Sequence, residues 1–383
     1  MAVSEAPASE RIVRSSSDLT IERVRLRELV DYAEHTSRVT PANQELPITP
    51  HLARAQASNP YADPDDIALL VGRSGRNCAA YLGLLPGRLR IGDRIARVHW
   101  ATGWGVAPGF GGRGYGRRLL AAALAEPIDF LSTGNSDAAE RSFRRAGLRE
   151  LGPFAFRVIY LQKPLAERAW KRIRRDVLSK PADRLSVVPE FTLSRPTGRG
   201  KLILRETAEL SEDAERLLAS TRPEVVFERG VDAIHWTVRC PWVDADGCAP
   251  PENYRFAMVR DAFRCGLLEA HDRDTGQFAG FLAFAASTQN NLLMLKLLDY
   301  CFDRDAQATA GRALLQLARL VRGDGLVLSD VCAAPLRPLL SCGSVEHKRQ
   351  RGYFWHPGGA DSPLARVANR VALSLCDGDT AFT

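Results

Sequence analysis

Val106-Ala-Pro-Gly-Phe-Gly-Gly-Arg-Gly-Tyr-Gly-Arg-Arg118 sets Gly111, Gly112, Gly114 and Gly116 between an apolar run ending at Val106 and the helical pattern GRRLLAAALAE. Glycine permits a tight turn and brings bare backbone N–H groups close to a ligand. At a helix N-terminus those free donors and the positive dipole end favour a phosphate or pyrophosphate. Arg113, Arg117 and Arg118 add positive charge around the turn. A P-loop needs GxxxxGK[ST], and no Lys-Ser/Thr follows here. The spacing GGRGYG also fails the dinucleotide pattern GxGxxG, and the strand before it reads as part of a hairpin meander. A glycine-rich turn without a ligand is the bland alternative.

Upstream of the loop, LTIERVRL reads as a strand, with helical stretches around 27–39 and 49–58. IALLVGRSG and NCAAYLGLLPGRLRIG read as two strands joined through a Gly-containing turn, and IARVHWATGWGV as a third. Downstream, Leu119, Leu120, Ala123 and Leu124 share one helix face. The strand DFLST, a helix opening at Asn135 or Ser136, and the strand FAFRVIYL follow. The segment AERAWKRIRRDVLSK is basic and helical in pattern, and Lys180–Gly200 is rich in proline and glycine, which places a boundary there. Beyond it the order strand–helix–three strands–helix–strand recurs, which suggests a tandem duplication. SEDAERLLAS opens on an N-cap serine, and ARVANRVALSL near the end reads as an apolar helix. The expected organisation is a flexible tail (1–17), a first lobe (18–163), a basic linker (164–200) and a second lobe (201–383).

With these elements in order, Val106-x-Pro108, the loop through Gly116 and RRLLAAAL resemble the acyl-CoA-binding motif of the GNAT N-acetyltransferase superfamily, [QR]-x-x-G-x-[GA] after a V-x-P strand end. Asn135-Ser-Asp-Ala-Ala-Glu-Arg-Ser-Phe-Arg-Arg-Ala-Gly147-Leu148 is similar to that family's closing N…A…Y…G-F segment. The resemblance implies an α/β (α+β) fold of two GNAT-like lobes. Each is a mixed, mostly antiparallel sheet flanked by helices, and the second is degenerate. It implies acyl-CoA, most simply acetyl-CoA, as cosubstrate, with no metal. The contacts it implies come from Val106, Ala107, Gly111, Gly112, Arg113, Gly114, Tyr115, Gly116, Arg117, Asn135 and Phe143. The strand ending at Val106 is expected to splay from its neighbour, and the Val106 amide to hold the thioester carbonyl as charge develops on it. An amine then attacks directly within a ternary complex.

Three positions depart from the family pattern. Gly111 stands where the motif has Gln or Arg. Phe143 stands where a tyrosine often protonates the leaving thiolate. Trp100 stands at the usual base position, with Thr102 as the alternative base and Trp100 reassigned to the acceptor. Loss of a general acid or base costs about 10²–10⁴-fold. His99 is adjacent but falls on the opposite strand face by strict alternation. Cys78 has no histidine in a recognisable nucleophilic arrangement.

The second lobe lacks a V-x-P…G-x-G loop and is expected to shape the acceptor pocket instead. Residues 228–241 and the tail Asp377-Gly-Asp379 resemble segments of tandem GNAT proteins from bacterial polysaccharide gene sets. His235, Trp236, Arg239 and Trp242 combine aromatic faces with a guanidinium, suited to a sugar or an anionic group and equally to helix packing. Asp379 and the carboxylate of Thr383 are candidate acceptor anchors or bases, and Asp299-Tyr300 is a further acid–phenol pair, read as structural.

Composition bounds the rest. With 45% hydrophobic and 25% charged residues the chain can bury a substantial core. A formal charge of +7 favours an anionic ligand but is too spread to indicate nucleic acid. No apolar run of membrane-spanning length occurs, the N-terminus has no apolar signal core, and the cysteines and histidines show neither CxxC nor HExxH. The expectation is a cytoplasmic acyl-CoA-dependent N-acyltransferase acting on an amine of a small metabolite or amino sugar. Two alternatives stand beside it: a Fem-type aminoacyl-tRNA-dependent transferase, and a non-catalytic CoA-binding scaffold protein.

Overall fold

A computed structural model describes residues 19–161, 202–221, 223–243, 253–256, 262–289, 292–303, 305–340 and 344–378. The tail 1–17, the linker 164–200, Asp379 and Thr383 lie outside the described residues.

The first half runs β1 (Thr20–Arg25), α1 (Leu26–Val39), α2 (Pro50–Ala57), β2 (Ile67–Ser74), β3 (Asn77–Ile91), β4 (Arg94–Val106), α3 (Tyr115–Leu124), β5 (Asp129–Thr133), α4 (Asp137–Arg145) and β6 (Arg149–Tyr160). The second runs β7 (Leu202–Thr207), α5 (Glu212–Thr221), β8 (Val225–Phe227), α6 (Val231–Arg239), β9 (Ala262–Asp272), β10 (Phe278–Gln289), β11 (Leu292–Phe302), α7 (Ala306–Leu320), β12 (Gly325–Ser329), α8 (Asp330–Ala333) and β13 (Val345–His356). The caps follow the side chains. Thr49 Oγ1 accepts from Leu52 N–H at α2, and Ser136 Oγ accepts from Ala139 N–H at α4, so Ser136 rather than Asn135 opens that helix.

All the strands join one mixed sheet, ordered β1-β2-β3-β4-β5-β13-β6-β12-β11-β10-β9-β7, with β8 attached to β3. The order is nearly symmetric about its centre. In each half the strands are antiparallel except where β4 runs parallel to β5 and β11 parallel to β12. The halves exchange their last strands: β13 pairs with β5 of the first half, and β6 pairs with β12 of the second. The strands read from sequence as each lobe's own closing strands are therefore the joint between them.

Alternation puts apolar side chains on both faces. One face packs under α3 through Leu119, Leu120, Phe130, Phe143 and Phe354, and farther along under α7 through Leu314 and Leu317. The opposite face packs Trp100, Leu131, Tyr353 and Trp355 against Phe227, Ile234 and Leu375 from the second half.

One expected element is absent. ARVANRVALSL forms two short 3₁₀ turns, Leu364–Arg366 and Ala368–Arg370, and then extends. Ala372 N–H donates to Val225 C=O at 2.9 Å and Ala372 bridges Val226, so pairing with β8 outweighs local helix preference.

Candidate active site

β4 and β5 pair only from Val98 to Trp100 against Asp129 to Leu131, after which they diverge into a fork. Ala107 N–H donates to Ala79 C=O at 2.9 Å, which makes Val106 and Ala80 a non-hydrogen-bonded pair. The N–H and C=O of Val106 therefore face the fork. A register shift between the pairs Tyr81–Gly105 and Gly83–Thr102 inserts a bulge at Gly103, whose φ is +49°. The bulge reverses the alternation: Ala101 precedes it and Trp104 and Val106 follow it, yet all three pack on the α3 face. His99, two residues before Ala101, shares that face and Trp100 does not. This corrects the placement expected from strict alternation.

Beyond Val106 the loop turns through Gly109, Gly112 and Gly114 at φ +75° to +80°, a conformation that selects glycine. Gly114 is the N-cap of α3 and supplies no side-chain acceptor, so the first N–H groups of the helix stay available. Nothing lies within 4 Å of a Cβ built at Gly111, Gly112 or Gly114, whereas one at Gly116 would sit 3.1 Å from Val106 Cγ2. The loop glycines are open to a ligand, and Gly116 seats α3 against β4. Arg113 lies over the Phe110 ring at 5.2 Å, and no ion pair holds Arg113 or Arg117 among the described residues. Trp104 Nε1 and Asn135 Nδ2, one from each arm of the fork, are buried donors without a hydrogen-bond partner. Open amides, cations without ion pairs and two orphaned donors beside the fork fit an extended phosphorylated molecule that carries carbonyls, as acyl-CoA does.

Other candidates are placed differently. Phe143 is 1% exposed and stacks on Trp104 at 5.1 Å, so it is core rather than ligand surface. Tyr115 and Ala107 are buried, leaving only backbone for a ligand. Thr102 is buried with its hydroxyl over Gly83, where an added Cβ would lie 2.2 Å away. Cys78 is buried and its thiol is pushed up to about 12 by desolvation, which removes it as a nucleophile.

His99 is 4% exposed, and desolvation, with Arg97 adding to it, lowers its pKa to about 4. Its Nε2 lies 3.8 Å from Asp66 Oδ1 without a hydrogen bond. The ring is therefore neutral at pH 7. The folded pKa lies below the unfolded value, so this group withdraws stability as pH falls from about 6.5 towards 4. In a histidine-resolved NMR titration the His99 ring signals are expected to stay unshifted between pH 8 and pH 5.5; a midpoint above 6 would contradict its burial.

The second half reaches this site in two places. Arg255 Nη2 donates to Val106 C=O at 2.8 Å, and Arg255 Nε lies 3.3 Å from Glu45 Oε1, which also accepts from Tyr81 OH at 2.9 Å. No sequence motif marks Arg255. On the opposite face a cavity of about 70 Å³ opens between the halves, lined by Trp100, Phe227, Tyr61 and Trp236 with Arg229, Asp299 and Asp377. Trp236 spends its Nε1–H on Ala55 C=O at 2.7 Å. Trp100 and Trp236 thus meet as substrate-wall candidates. His235 and Arg239 do not join them: His235 Nε2 accepts from Leu210 N–H at 3.0 Å, and Arg239 pairs with Glu209 at 2.8 Å, so both fasten α6 beside the start of α5. Asp299 and Tyr300 part on alternate faces of β11, Asp299 to the cavity and Tyr300 to the α7 side. The six described cysteines are free thiols. Among the described residues no helix is long and apolar enough to cross a membrane.

Neither a protein-family model nor a curated protein sequence matches the chain. Similar solved structures include a GCN5-related N-acetyltransferase from Anabaena variabilis, 12% identical, covering 90% of this chain and 74% of that one at a TM-score of 0.50. One from Kribbella flavida is 15% identical, with coverage of 91% and 74% and a TM-score of 0.48. A tandem GNAT protein from the clavulanic acid biosynthesis pathway is 14% identical, with coverage of 90% and 99% and a TM-score of 0.43.

Proposed function

We propose that this chain, which has the fold of the GCN5-related N-acetyltransferases twice over in interlocked halves, is an acyl-CoA-dependent N-acyltransferase. The donor is acetyl-CoA and the acceptor a primary amine of a small metabolite. The observation that carries the reading is the fork of β4 and β5. It turns the Val106 N–H toward the fork, and from there the chain runs through the open glycine loop to the uncapped end of α3.

In this reading the first-turn amides of α3 and the loop amides at Gly111, Gly112 and Gly114 hold the pyrophosphate, helped by Arg113 and Arg117. Trp104 Nε1 and Asn135 Nδ2 steady the arm that follows. The Val106 N–H donates to the thioester oxygen, where negative charge grows during attack. Phe143 cannot give a proton, so the thiolate leaves by charge stabilisation and takes its proton from the amine or from water. The acceptor enters from the face of Trp100, opposite α3. The setting is cytoplasmic, and no metal takes part.

The test is CoA thiol release from acetyl-CoA, and from longer acyl-CoAs, across a panel of amines. Amine-dependent release is the expected result. A folded protein that neither binds nor cleaves any acyl-CoA would refute the reading. The buried Phe143 and the Arg255 guanidinium on Val106 C=O favour a second reading, a non-catalytic CoA-binding protein; that reading requires saturable acyl-CoA binding without release under any amine.

A further inference from the structure

We propose that Arg255 is a self-blocking latch on the donor site. Its guanidinium holds the Val106 carbonyl that the arm of acyl-CoA would take, and the arm must displace it to bind. The proposal rests on the acyl-CoA reading of the fork and adds a control exerted by the second half on the first.

Position comes first. Val106 ends β4, and its C=O is turned away from β3 because the ladder bond there runs from Ala107 N–H to Ala79 C=O. The carbonyl that strand pairing leaves over is bonded by Arg255 Nη2 at 2.8 Å. The arm of CoA contains two secondary amides, and each N–H needs an acceptor once it leaves water. An unpaired strand carbonyl is such an acceptor for any extended molecule that carries amides. Guanidinium and arm amide therefore compete for one oxygen.

The way Arg255 is mounted is the second point. Asn253 Nδ2 donates to Gln44 C=O at 2.9 Å, and Asn253 C=O accepts from Leu46 N–H at 2.9 Å. Tyr254 is buried and stacks on Tyr81 with ring centroids 6.5 Å apart. These contacts fasten the backbone to the turn between α1 and α2, in the core under α1 rather than the one under α3. Beyond them Arg255 keeps 43% of its side chain in solvent. The guanidinium can turn while its backbone stays fixed. A permanent brace looks different: Arg157, at the joint of the halves, exposes 12% of its side chain and is held by both Asp330 and Glu346.

Both states are satisfied, which is the third point. Arg255 Nε lies 3.3 Å from Oε1 of Glu45, whose side chain is 8% exposed and also accepts from Tyr81 OH at 2.9 Å. Tyr81 keeps Glu45 in place, and Glu45 retains Arg255 when Nη2 lets go. The released N–H groups meet water, and the Val106 carbonyl passes to the arm. No buried polar group is orphaned on either side of the exchange, so a ligand can shift the balance between the two states.

The experiment is calorimetric titration of the full chain and of Arg255→Ala with CoA, acetyl-CoA and adenosine 3′-phosphate 5′-diphosphate, which carries the pyrophosphate without the arm. A latch closed about nine-tenths of the time raises the apparent dissociation constant about tenfold. We expect Arg255→Ala to bind CoA and acetyl-CoA about tenfold more tightly than the wild type, with no gain for the armless nucleotide. Loss of a cation would by itself weaken binding of an anion, so the expected sign is opposite to that of a plain charge contact. Should the variant fail to fold, Arg255→Met keeps the apolar stem and removes the donors. Arg54→Gln, which removes another exposed arginine from its pair with Glu34, should change none of the three affinities. Equal or weaker CoA binding by the folded Arg255 variants would overturn the latch, as would an equal gain for the armless nucleotide. Equal binding is the result if the arm uses the second lone pair of the Val106 oxygen and leaves Arg255 in place; it defeats the latch alone. If the folded wild type and variants all fail to bind CoA and acetyl-CoA, the acyl-CoA reading falls and takes the latch with it.

Discussion

Gly111→Asp is expected to weaken acyl-CoA binding at least a hundredfold and leave the fold intact. Gly111 is the loop glycine best suited to this test. Its φ lies outside the left-handed region, and nothing stands within 4 Å of the added Cβ, whereas Gly112 and Gly114 sit at φ +75° and would add backbone strain. The new carboxylate would face the pyrophosphate site. Two like charges 4 Å apart repel by about 1 kcal/mol in bulk water and about 4 kcal/mol at a protein surface. With two phosphates opposed, affinity should fall at least a hundredfold. Acetyl-CoA at 100 times its dissociation constant adds about 2.7 kcal/mol of stability to the wild type. At that same concentration thermal unfolding should show the full gain in the wild type and in Gly111→Ser, and at most about 0.4 kcal/mol in Gly111→Asp. A full gain in Gly111→Asp would mean that the loop does not hold the phosphates.

The second large effect concerns the joint between the halves. Residues 1–165 and 198–383, each expressed alone, are expected to give no cooperatively folded protein; expressed together they should form a one-to-one complex. Val345 to Trp355 of β13 pairs with Tyr160 to Arg149 of β6, and Tyr353 to His356 pairs with Thr133 to Phe130 of β5. Without the second half, β5 loses the strand on one side and β6 loses both neighbours. Tyr353, Phe354 and Trp355, at 0%, 1% and 3% exposure, fill cores on both faces of the joined sheet. Burying a large apolar side chain is worth about 1.5–3 kcal/mol. Three of them, with the orphaned ladder groups, approach the 5–15 kcal/mol that holds a typical domain together. Size-exclusion chromatography and urea unfolding decide the matter. A sharp unfolding transition from either half alone would contradict the interlocked sheet.

Acid should reveal two opposed groups. His99, with a lowered pKa, withdraws stability as pH falls through about 6.5 to 4. Asp377, with a raised pKa, returns some as pH falls through about 6, because its neutral form suits burial better than its ion.

The sequence determined much of this molecule through local rules. Four glycines before an apolar helical repeat can do little but turn the chain and bare its amides, and the apolar runs of residues 67–106, joined through a Gly-containing turn, read as a meander. The duplicated element order and the degenerate second half, whose α7 begins four residues after β11 ends with no glycine loop, were equally legible. Tertiary structure decided what depends on partners distant in the chain. Gly103 reads as one more strand residue, yet the bulge there sends His99 and Trp100 to faces that strict alternation would not give them. Exchange of β6 and β13 leaves no local trace, because each strand has the same pattern whichever sheet it completes. Arg229, Asp299 and Asp377 lie far apart in sequence and meet only when the chain folds them around one cavity. Glycine and alternation act within a few residues, where a sequence can be read directly. The energy of a buried ion pair or an exchanged strand belongs to contacts that exist only after the chain has closed on itself.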